Sequence, residues 1–230
     1  MNLSVIQNKL YERLKPSGWA DVLKTFILSE SFATILKTLH ASSTDGKHFT
    51  PMIRNLFRAF EECPYDKLNV VIIGQDPYPK VGVADGISFS CSLTGKEQPS
   101  LRYIFNELQK QYPDASRDTD LKRWSNQGVL MLNTAMTCEV GNIGSHIELW
   151  KPFTEFLLQT LEDSYTGVVY IVLGKKAEEW LKSIDEKNNW IFKCKHPAAA
   201  AYNGGAWDSD NLFQKVNDLL HSQYGEKINW

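Results

Sequence analysis

The sequence predicts an α/β protein with a central, mainly parallel sheet of four strands and helices on both faces. Four short apolar runs lack the alternating pattern of a half-exposed strand, and amphipathic helical patterns lie between them. Such strands are typical of parallel sheets that are covered on both sides. Because 230 residues fit one domain, we expect residues 1–230 to form a single unit.

Each predicted strand is short and is followed by a residue that could end it. The runs cover residues 68–73 (LNVVII), 129–132 (VLML), 168–173 (VVYIVL) and 190–195 (WIFKCK). Gly74, Asn133, Gly174 and His196 follow them in that order. Their length and β-branched content favour strands over buried helices.

Helical periodicity dominates the chain before the first strand and recurs between the strands. Ser100, which follows Pro99, is a candidate N-cap for one of these helices. The apolar stripes are Phe32, Ile35, Leu36 and Leu39; Ile53, Leu56, Phe57 and Phe60; Leu101, Ile104, Phe105 and Leu108; Phe153, Phe156, Leu157 and Leu161; and Leu212, Phe213, Val216, Leu219 and Leu220.

Charge and composition exclude several classes of protein. The net charge is −2, from 25 basic and 27 acidic residues, which argues against a wholly basic surface but permits a local basic patch. No apolar run approaches the ~20 residues of a membrane-spanning helix, and the N-terminus does not resemble a secretory signal. We therefore expect no membrane association and an intracellular, cytoplasmic monomer, or a nuclear one if the source is eukaryotic.

The four cysteines, Cys63, Cys91, Cys138 and Cys194, contain no C-x-x-C pair. A disulfide framework or a zinc or iron–sulfur site normally shows closer, paired spacing. We expect four reduced, mostly buried thiols, and neither a metal nor a cofactor.

Polar residues follow all four predicted strands. Asp76 lies in GQDPYP after the first, Asn133 ends the second, Lys175 and Lys176 follow the third, and His196 follows the fourth. Ligands of parallel α/β sheets bind beyond the carboxyl ends of the strands, so these residues should converge on one site.

Each of these residues also has a purely structural explanation. Asp76 could serve a turn, Asn133 could cap one, His196 could be a satisfied loop histidine, and the two lysines could be solvated. Four unrelated explanations would then be needed at four strand ends, which favours a shared functional site.

Five motifs, in order and at matching intervals, resemble family 1 uracil-DNA glycosylases. They are GQDPY at 74–78, Gly86 and Phe89 in ADGISFS, QPSL at 98–101, QGVLMLNTAMT at 127–137, and His196 with Pro197. The terminal KINW is similar too, so the resemblance runs from about Trp19 to Trp230 and leaves 1–18 as an N-terminal extension. It implies that family's fold and the hydrolytic release of uracil from DNA, the start of base excision repair.

The resemblance makes Asp76 and His196 the catalytic residues. Cleavage of the glycosidic bond creates oxocarbenium character on the sugar and negative charge on the departing base. Asp76 can stabilise the sugar cation and orient the attacking water. A neutral His196 would donate a hydrogen bond to uracil O2.

The resemblance assigns uracil binding to Gln75, Tyr78, Phe89 and Asn133. The Asn133 amide matches O4 and N3–H of uracil, whereas cytosine presents the reversed pattern. Phe89 would stack on a base flipped out of the DNA, and Tyr78 would fill the space beside C5 and so exclude the methyl group of thymine.

Phosphate binding falls to Ser100, Lys175 and Ala198 by the same resemblance. Ser100 lies at a helix start, which suits an anion, while Lys175 and Ala198 stand where the family usually has serines. Lys193 and Lys195 add to a local positive edge. If lysines bind the DNA phosphates, activity on uracil DNA should be sensitive to salt.

Two further residues differ from those usual in the family, and they affect how the attacking water and the DNA would be held. Pro79 replaces a histidine that usually follows GQDPY, which would leave Asp76 and backbone carbonyls to hold the water. Ala200 replaces the leucine that fills the gap left by a flipped base, with Tyr202 or Trp207 as substitutes or as ordinary core aromatics. We therefore expect single-stranded uracil DNA to be favoured over duplex.

Three functions are compatible with these residues. A uracil-releasing hydrolase fits best, and the resemblance adds a DNA-mimicking protein inhibitor as a possible partner besides uracil-containing DNA. A DNA-binding accessory protein with little catalysis is favoured by Pro79 and the altered HPAAAA loop. A generic small-molecule α/β enzyme explains fewer of the named residues.

Overall fold

The computed structural model describes residues 2–202 and 205–230. Its strands are β1 (Phe49–Thr50), β2 (Val70–Gly74), β3 (Val129–Asn133), β4 (Cys138–Glu139), β5 (Val169–Leu173) and β6 (Trp190–Cys194). Its helices are α1 (Leu3–Leu14), α2 (Trp19–Ile27), α3 (Glu30–Thr44), α4 (Arg58–Glu62), α5 (Pro99–Gln111), α6 (Lys122–Ser125), α7 (Ile147–Ser164), α8 (Lys175–Glu178), α9 (Ala198–Tyr202) and α10 (Leu212–Tyr224). Three short 3₁₀ helices cover Ile53–Asn55, Tyr65–Lys67 and Glu179–Ser183.

The central sheet has the order β3-β2-β5-β6, and each neighbouring pair is parallel. This confirms the predicted four-stranded parallel sheet, with boundaries that differ from the prediction by one or two residues. β2 and β5 are buried along their whole length because helices cover both faces. In register, Gly74 lies beside Asn133, so the loops that follow β2 and β3 start side by side.

Aromatic side chains fill the core between the helices. Phe153 of α7 packs against Phe26 of α2, with ring centroids 5.2 Å apart, and against Phe57, which directly precedes α4, at 5.4 Å. A second cluster places Trp124 against Trp230 at 5.4 Å. Large buried aromatic surfaces of this kind stabilise a domain of this size without cross-links, and the four cysteines are free thiols in the described chain.

The prediction of one helix from Ile53 to Phe60 is wrong, because the chain forms two separate short helices there. The chain forms the 3₁₀ helix Ile53–Asn55 and then the separate helix α4, because the backbone of Asn55 packs against Gly86. A β-carbon on Gly86 would lie only 1.9 Å from the Asn55 carbonyl oxygen. The short antiparallel pair β1–β4 was also not predicted.

Two other sequence expectations change at helix starts. Ser100 is not the N-cap of α5: Gln98 occupies that position, and Pro99 is the first helical residue, as its fixed φ favours. Residues 1–18, which no motif explained, contain α1, whose Leu10 and Leu14 are buried. Within residues 2–202 and 205–230, no helix combines the length and apolar character needed to cross a membrane.

Candidate active site

A cavity opens beyond the carboxyl ends of β2 and β3. Its volume is about 60 Å³, several times the roughly 10–15 Å³ that one water needs. Six residues singled out from the sequence line it: Asp76, Tyr78, Phe89, Ser100, Asn133 and His196. The convergence expected from the ends of parallel strands is therefore present.

The Asp76 carboxylate lines the cavity, and one of its two oxygens has a hydrogen-bond partner. Gln75 Nε2 donates to Asp76 Oδ2 at 2.6 Å, whereas Oδ1 is buried and receives no hydrogen bond from the described residues. Burial raises the pKa of Asp76, while Gln75, the Gly144 backbone N–H and the charge of Lys176 oppose that rise. Gln75 therefore orients Asp76 but does not itself line the cavity.

The loop that carries Asp76 is fastened to the segments after β3. The carbonyl of Gln75 accepts hydrogen bonds from Ala135 N at 3.1 Å and Thr134 Oγ1 at 2.9 Å. The Pro79 carbonyl accepts from Gly141 N at 2.8 Å. These hydrogen bonds fix the loop that carries Asp76, whose Oδ1 has no donor among the described residues.

His196 is oriented as a hydrogen-bond donor. Ala198 N–H donates to His196 Nδ1 at 3.1 Å, so the proton of the neutral ring lies on Nε2. Burial lowers the pKa of His196, which keeps the ring neutral at neutral pH. Gly174 permits this position, because a β-carbon there would lie 3.0 Å from His196 Cβ.

The Asn133 amide is fixed by residues that the sequence did not point to. Ser88 Oγ donates to Asn133 Oδ1 at 3.0 Å, and Nδ2 has no hydrogen bond to the described residues. Gly74 leaves room for both, since a β-carbon there would lie 2.7 Å from Asn133 Oδ1 and 2.8 Å from Ser88 Oγ. The amide therefore presents a donor and an acceptor from a defined plane.

Tyr78 and Phe89 form one wall of the cavity. Tyr78 Oη donates to the Phe89 carbonyl at 2.9 Å, which ties the two loops together. Burial raises the pKa of Tyr78, so the phenol stays protonated. Phe89 has a φ of 63°, a left-handed conformation that is rare for a residue with a side chain.

The three predicted phosphate-binding residues differ in their placement. Ser100 is the second residue of α5 and lines the cavity. Lys175 is exposed as the first residue of α8, outside the cavity lining. Ala198 has no polar side chain, and its N–H is used by His196.

The structure decides between the two readings of Trp207. This side chain is 4% exposed, and its Nε1 donates to the Lys195 carbonyl at 2.8 Å, so it belongs to the core and is not a wedge. Ala200 is buried as well, at 8% exposed, in the helix that packs on α5. The side chains of Ala201 and Tyr202 lie outside the part of the chain that the structure describes.

The sequence analysis gave Ser88, Gly74 and Gly174 no role of their own in this site, although Gly74 opens the GQDPY motif and Ser88 lies within ADGISFS. Both glycines were predicted to end strands, and a glycine directly before a polar loop is a signal of close packing. Ser88 gives no such signal, because its partner Asn133 is 45 residues away. Among the described residues, no group of three or more His, Cys, Asp or Glu side chains is placed to hold a metal ion.

Comparisons with known proteins agree with this geometry. The Uracil DNA glycosylase superfamily profile matches residues 60–221. The uracil-DNA glycosylase of Dichelobacter nodosus (strain VCS1703A) is 35% identical and is covered over 93% of each chain. That of Proteus mirabilis (strain HI4320) is 34% identical, over 94% of this chain and 96% of its own.

A solved structure gives the same result in three dimensions. The crystal structure of mimivirus uracil-DNA glycosylase superposes with a TM-score of 0.85 at 27% identity, over 100% of this chain and 89% of that one. A tyrosine variant of mimivirus UNG in complex with UGI gives a TM-score of 0.83 at 26% identity, over 100% and 91% of the two chains. The chain belongs to the uracil-DNA glycosylase superfamily.

Proposed function

We propose that this protein hydrolyses the N-glycosidic bond between uracil and deoxyribose in DNA, which releases uracil and leaves an abasic site for base excision repair. The observation that carries the proposal is the pairing of two groups on one cavity. A buried carboxylate oxygen of Asp76 is free to accept, and the Nε2–H of a neutral His196 is free to donate.

These two groups suit the two charges that develop in the reaction. As the bond from N1 to C1′ breaks, the electron pair leaves with uracil and positive charge spreads over the sugar. The Asp76 carboxylate stabilises that cation and orients a water, whose oxygen then bonds to C1′. His196 donates to uracil O2, which carries part of the negative charge, and the proton lost by the water balances the departing anion.

Base selection falls to Asn133, Tyr78 and Phe89. The Asn133 amide supplies a donor for O4 and an acceptor for N3–H, an arrangement that cytosine leaves mispaired at a cost of one to several kcal/mol. Phe89 stacks on the base, and Tyr78, held by its hydrogen bond to Phe89, fills the space that the methyl group of thymine would need.

The test is release of abasic sites from single- and double-stranded uracil oligonucleotides. We expect activity in the wild type and a loss of at least about a hundredfold in Asp76→Asn and in His196→Leu. The surface variant Asp114→Asn should match the wild type, because Asp114 is exposed. Wild-type protein that leaves both substrates intact but binds DNA would support the accessory function in place of catalysis.

We further propose that single-stranded DNA is the favoured substrate. Ala200 is small and buried and Trp207 lies in the core, so neither can occupy the gap that a flipped base leaves in a duplex. Equal rates on matched single- and double-stranded oligonucleotides would contradict this preference.

A DNA-mimicking protein inhibitor is the second partner that we propose. Two mimivirus UNG variants are known in complex with UGI, and both superpose on this chain with TM-scores of 0.83. An inhibitor at this edge of the sheet should compete with uracil DNA and be displaced by it. We also propose a monomer that works in the reducing cytoplasm, which the four free thiols support.

A further inference from the structure

A buried ion pair lies directly behind the wall of the cavity. Asp85 is 1% exposed, and Arg58 Nη1 lies 2.9 Å from its Oδ2. Arg58 Nη2 also contacts Asp120 Oδ1 at 2.7 Å, which anchors the guanidinium from a second side. Neither Asp85 nor Arg58 lines the cavity.

The Asp85 carboxylate collects hydrogen bonds from both ends of a short turn. Before the turn's centre, Ile87 N donates to Oδ1 at 3.2 Å. After it, Ser90 Oγ donates to Oδ2 at 2.6 Å, and Ser92 donates to the same oxygen through N at 2.9 Å and Oγ at 2.5 Å. The residue at the centre of this turn is Phe89.

Phe89 needs such support because its backbone is strained. Its φ of 63° brings the side chain of an L-residue close to its own backbone, and such residues persist only where the surroundings determine the conformation. Released from the turn, the backbone would relax to negative φ and the ring would leave the cavity wall.

We propose that Asp85 is a positioning residue for Phe89, which holds the aromatic ring where it stacks on the target base. The inference rests on the proposed function, since it assumes that uracil occupies the cavity. Asp85 acts through the turn, so its contribution is to base binding and leaves the groups that perform the chemistry unchanged.

The first measurement is the affinity of the folded protein for free uracil, which involves no DNA and no bond cleavage. Asp85→Asn keeps the size of the side chain but reduces its capacity to accept four donors at one oxygen. We expect uracil binding to weaken about tenfold, within the range known for base–aromatic stacking. On a single-stranded uracil oligonucleotide, KM should rise by a similar factor and kcat should stay within about twofold.

Glu107→Gln is the matched control. Glu107 is also a buried carboxylate, and its Oε2 accepts from Ser209 N at 3.2 Å and Ser209 Oγ at 3.1 Å, outside the cavity lining. It should lower stability in the manner of Asp85→Asn but leave uracil affinity unchanged. If Asp85→Asn does not fold, Ser92→Ala removes one of the donors at a residue outside the cavity lining and keeps the Arg58–Asp85 contact, and it should weaken uracil binding about threefold.

A double-mutant cycle separates positioning from general destabilisation. In a Phe89→Leu background, Asp85→Asn should change uracil affinity by less than about twofold, because the ring it positions is gone. Unchanged uracil affinity in folded Asp85→Asn, or a full tenfold loss in the Phe89→Leu background, would overturn the inference. A wild type that neither binds uracil nor releases it would instead refute the proposed function.

Discussion

The cavity proposed to bind the base and the neighbouring edge of the sheet proposed to bind DNA phosphates, around Lys175 and Ala198, are built differently. In the cavity, three predicted polar side chains have a partner that orients them: Gln75 for Asp76, Ser88 for Asn133, and the Ala198 N–H for His196. At the edge, Lys175 and Ala198 stand where the family resemblance leads one to expect serines. We therefore expect recognition of the base to be preorganised in the folded protein, and contact with phosphates to depend on a few exposed lysines.

The largest effect should come from displacing His196 within the cavity. In Gly174→Ala, the new β-carbon would press on His196 Cβ, 3.0 Å away, at a φ of 100°. We expect uracil release to fall about a hundredfold, since a misplaced donor no longer meets the developing charge. Gly46→Ala is the control, because Gly46 has a φ of 80° but no atom within 4 Å of an added β-carbon. Equal losses in both variants would show that backbone strain, and not His196, is responsible.

A smaller effect should follow from freeing the Asn133 amide. Ser88→Ala removes the donor to Asn133 Oδ1, and we expect the preference for uracil over cytosine to fall about fivefold. Ser125→Ala removes an equally buried hydroxyl that makes no hydrogen bond to the described residues. Its discrimination should equal that of the wild type, and an unchanged ratio in Ser88→Ala would remove Ser88 from base selection.

Salt should weaken the binding of DNA at the lysine-containing edge, but it should not weaken the binding of uracil in the cavity. Raising salt should weaken binding to uracil DNA steeply, and Lys175→Ala should reduce the slope of log affinity against log salt by about one. Binding of free uracil should be nearly independent of salt. Lys9→Ala, an exposed lysine on α1, tests whether any lost charge has the same effect; an identical slope change there would exclude a specific role for Lys175.

The smallest effect concerns stability in mild acid. Burial lowers the pKa of His196 and of His146, whose Nδ1 lies 2.8 Å from Thr137 Oγ1. Below the unfolded value of about 6.5, the unfolded chain binds protons that the folded chain excludes, so the free energy of unfolding should fall as pH falls. Denaturant titrations between pH 7.5 and 5 measure this, and His146→Asn or His196→Asn should flatten the decline. A wild-type free energy that stays constant over this range would contradict the expectation.

Prediction of the strands, and of the convergence of the polar residues at their ends, succeeded where local sequence carries the constraint. Runs such as VVYIVL have no polar alternation because both faces of a parallel sheet are buried, and Asp76, Asn133 and His196 follow from the rule that strand ends converge. Prediction failed where a distant segment intervenes. The predicted helix through Ile53 and Phe60 is interrupted where Asn55 packs against Gly86. The N-cap prediction failed for a local reason instead: Pro99 takes the first helical position, so Gln98 and not Ser100 is the N-cap.

By itself, then, the sequence determined the class of fold, the positions of the strands and the chemical groups at their ends. Hydrophobic patterning and short motifs encode these features within a few residues of one another. Only the tertiary structure decided the proton position on His196, the inward placement of Ala200 and Trp207, and the support of Phe89 by Asp85 and Arg58. Each of these depends on hydrogen bonds or packing specific to the folded chain, which no local pattern specifies.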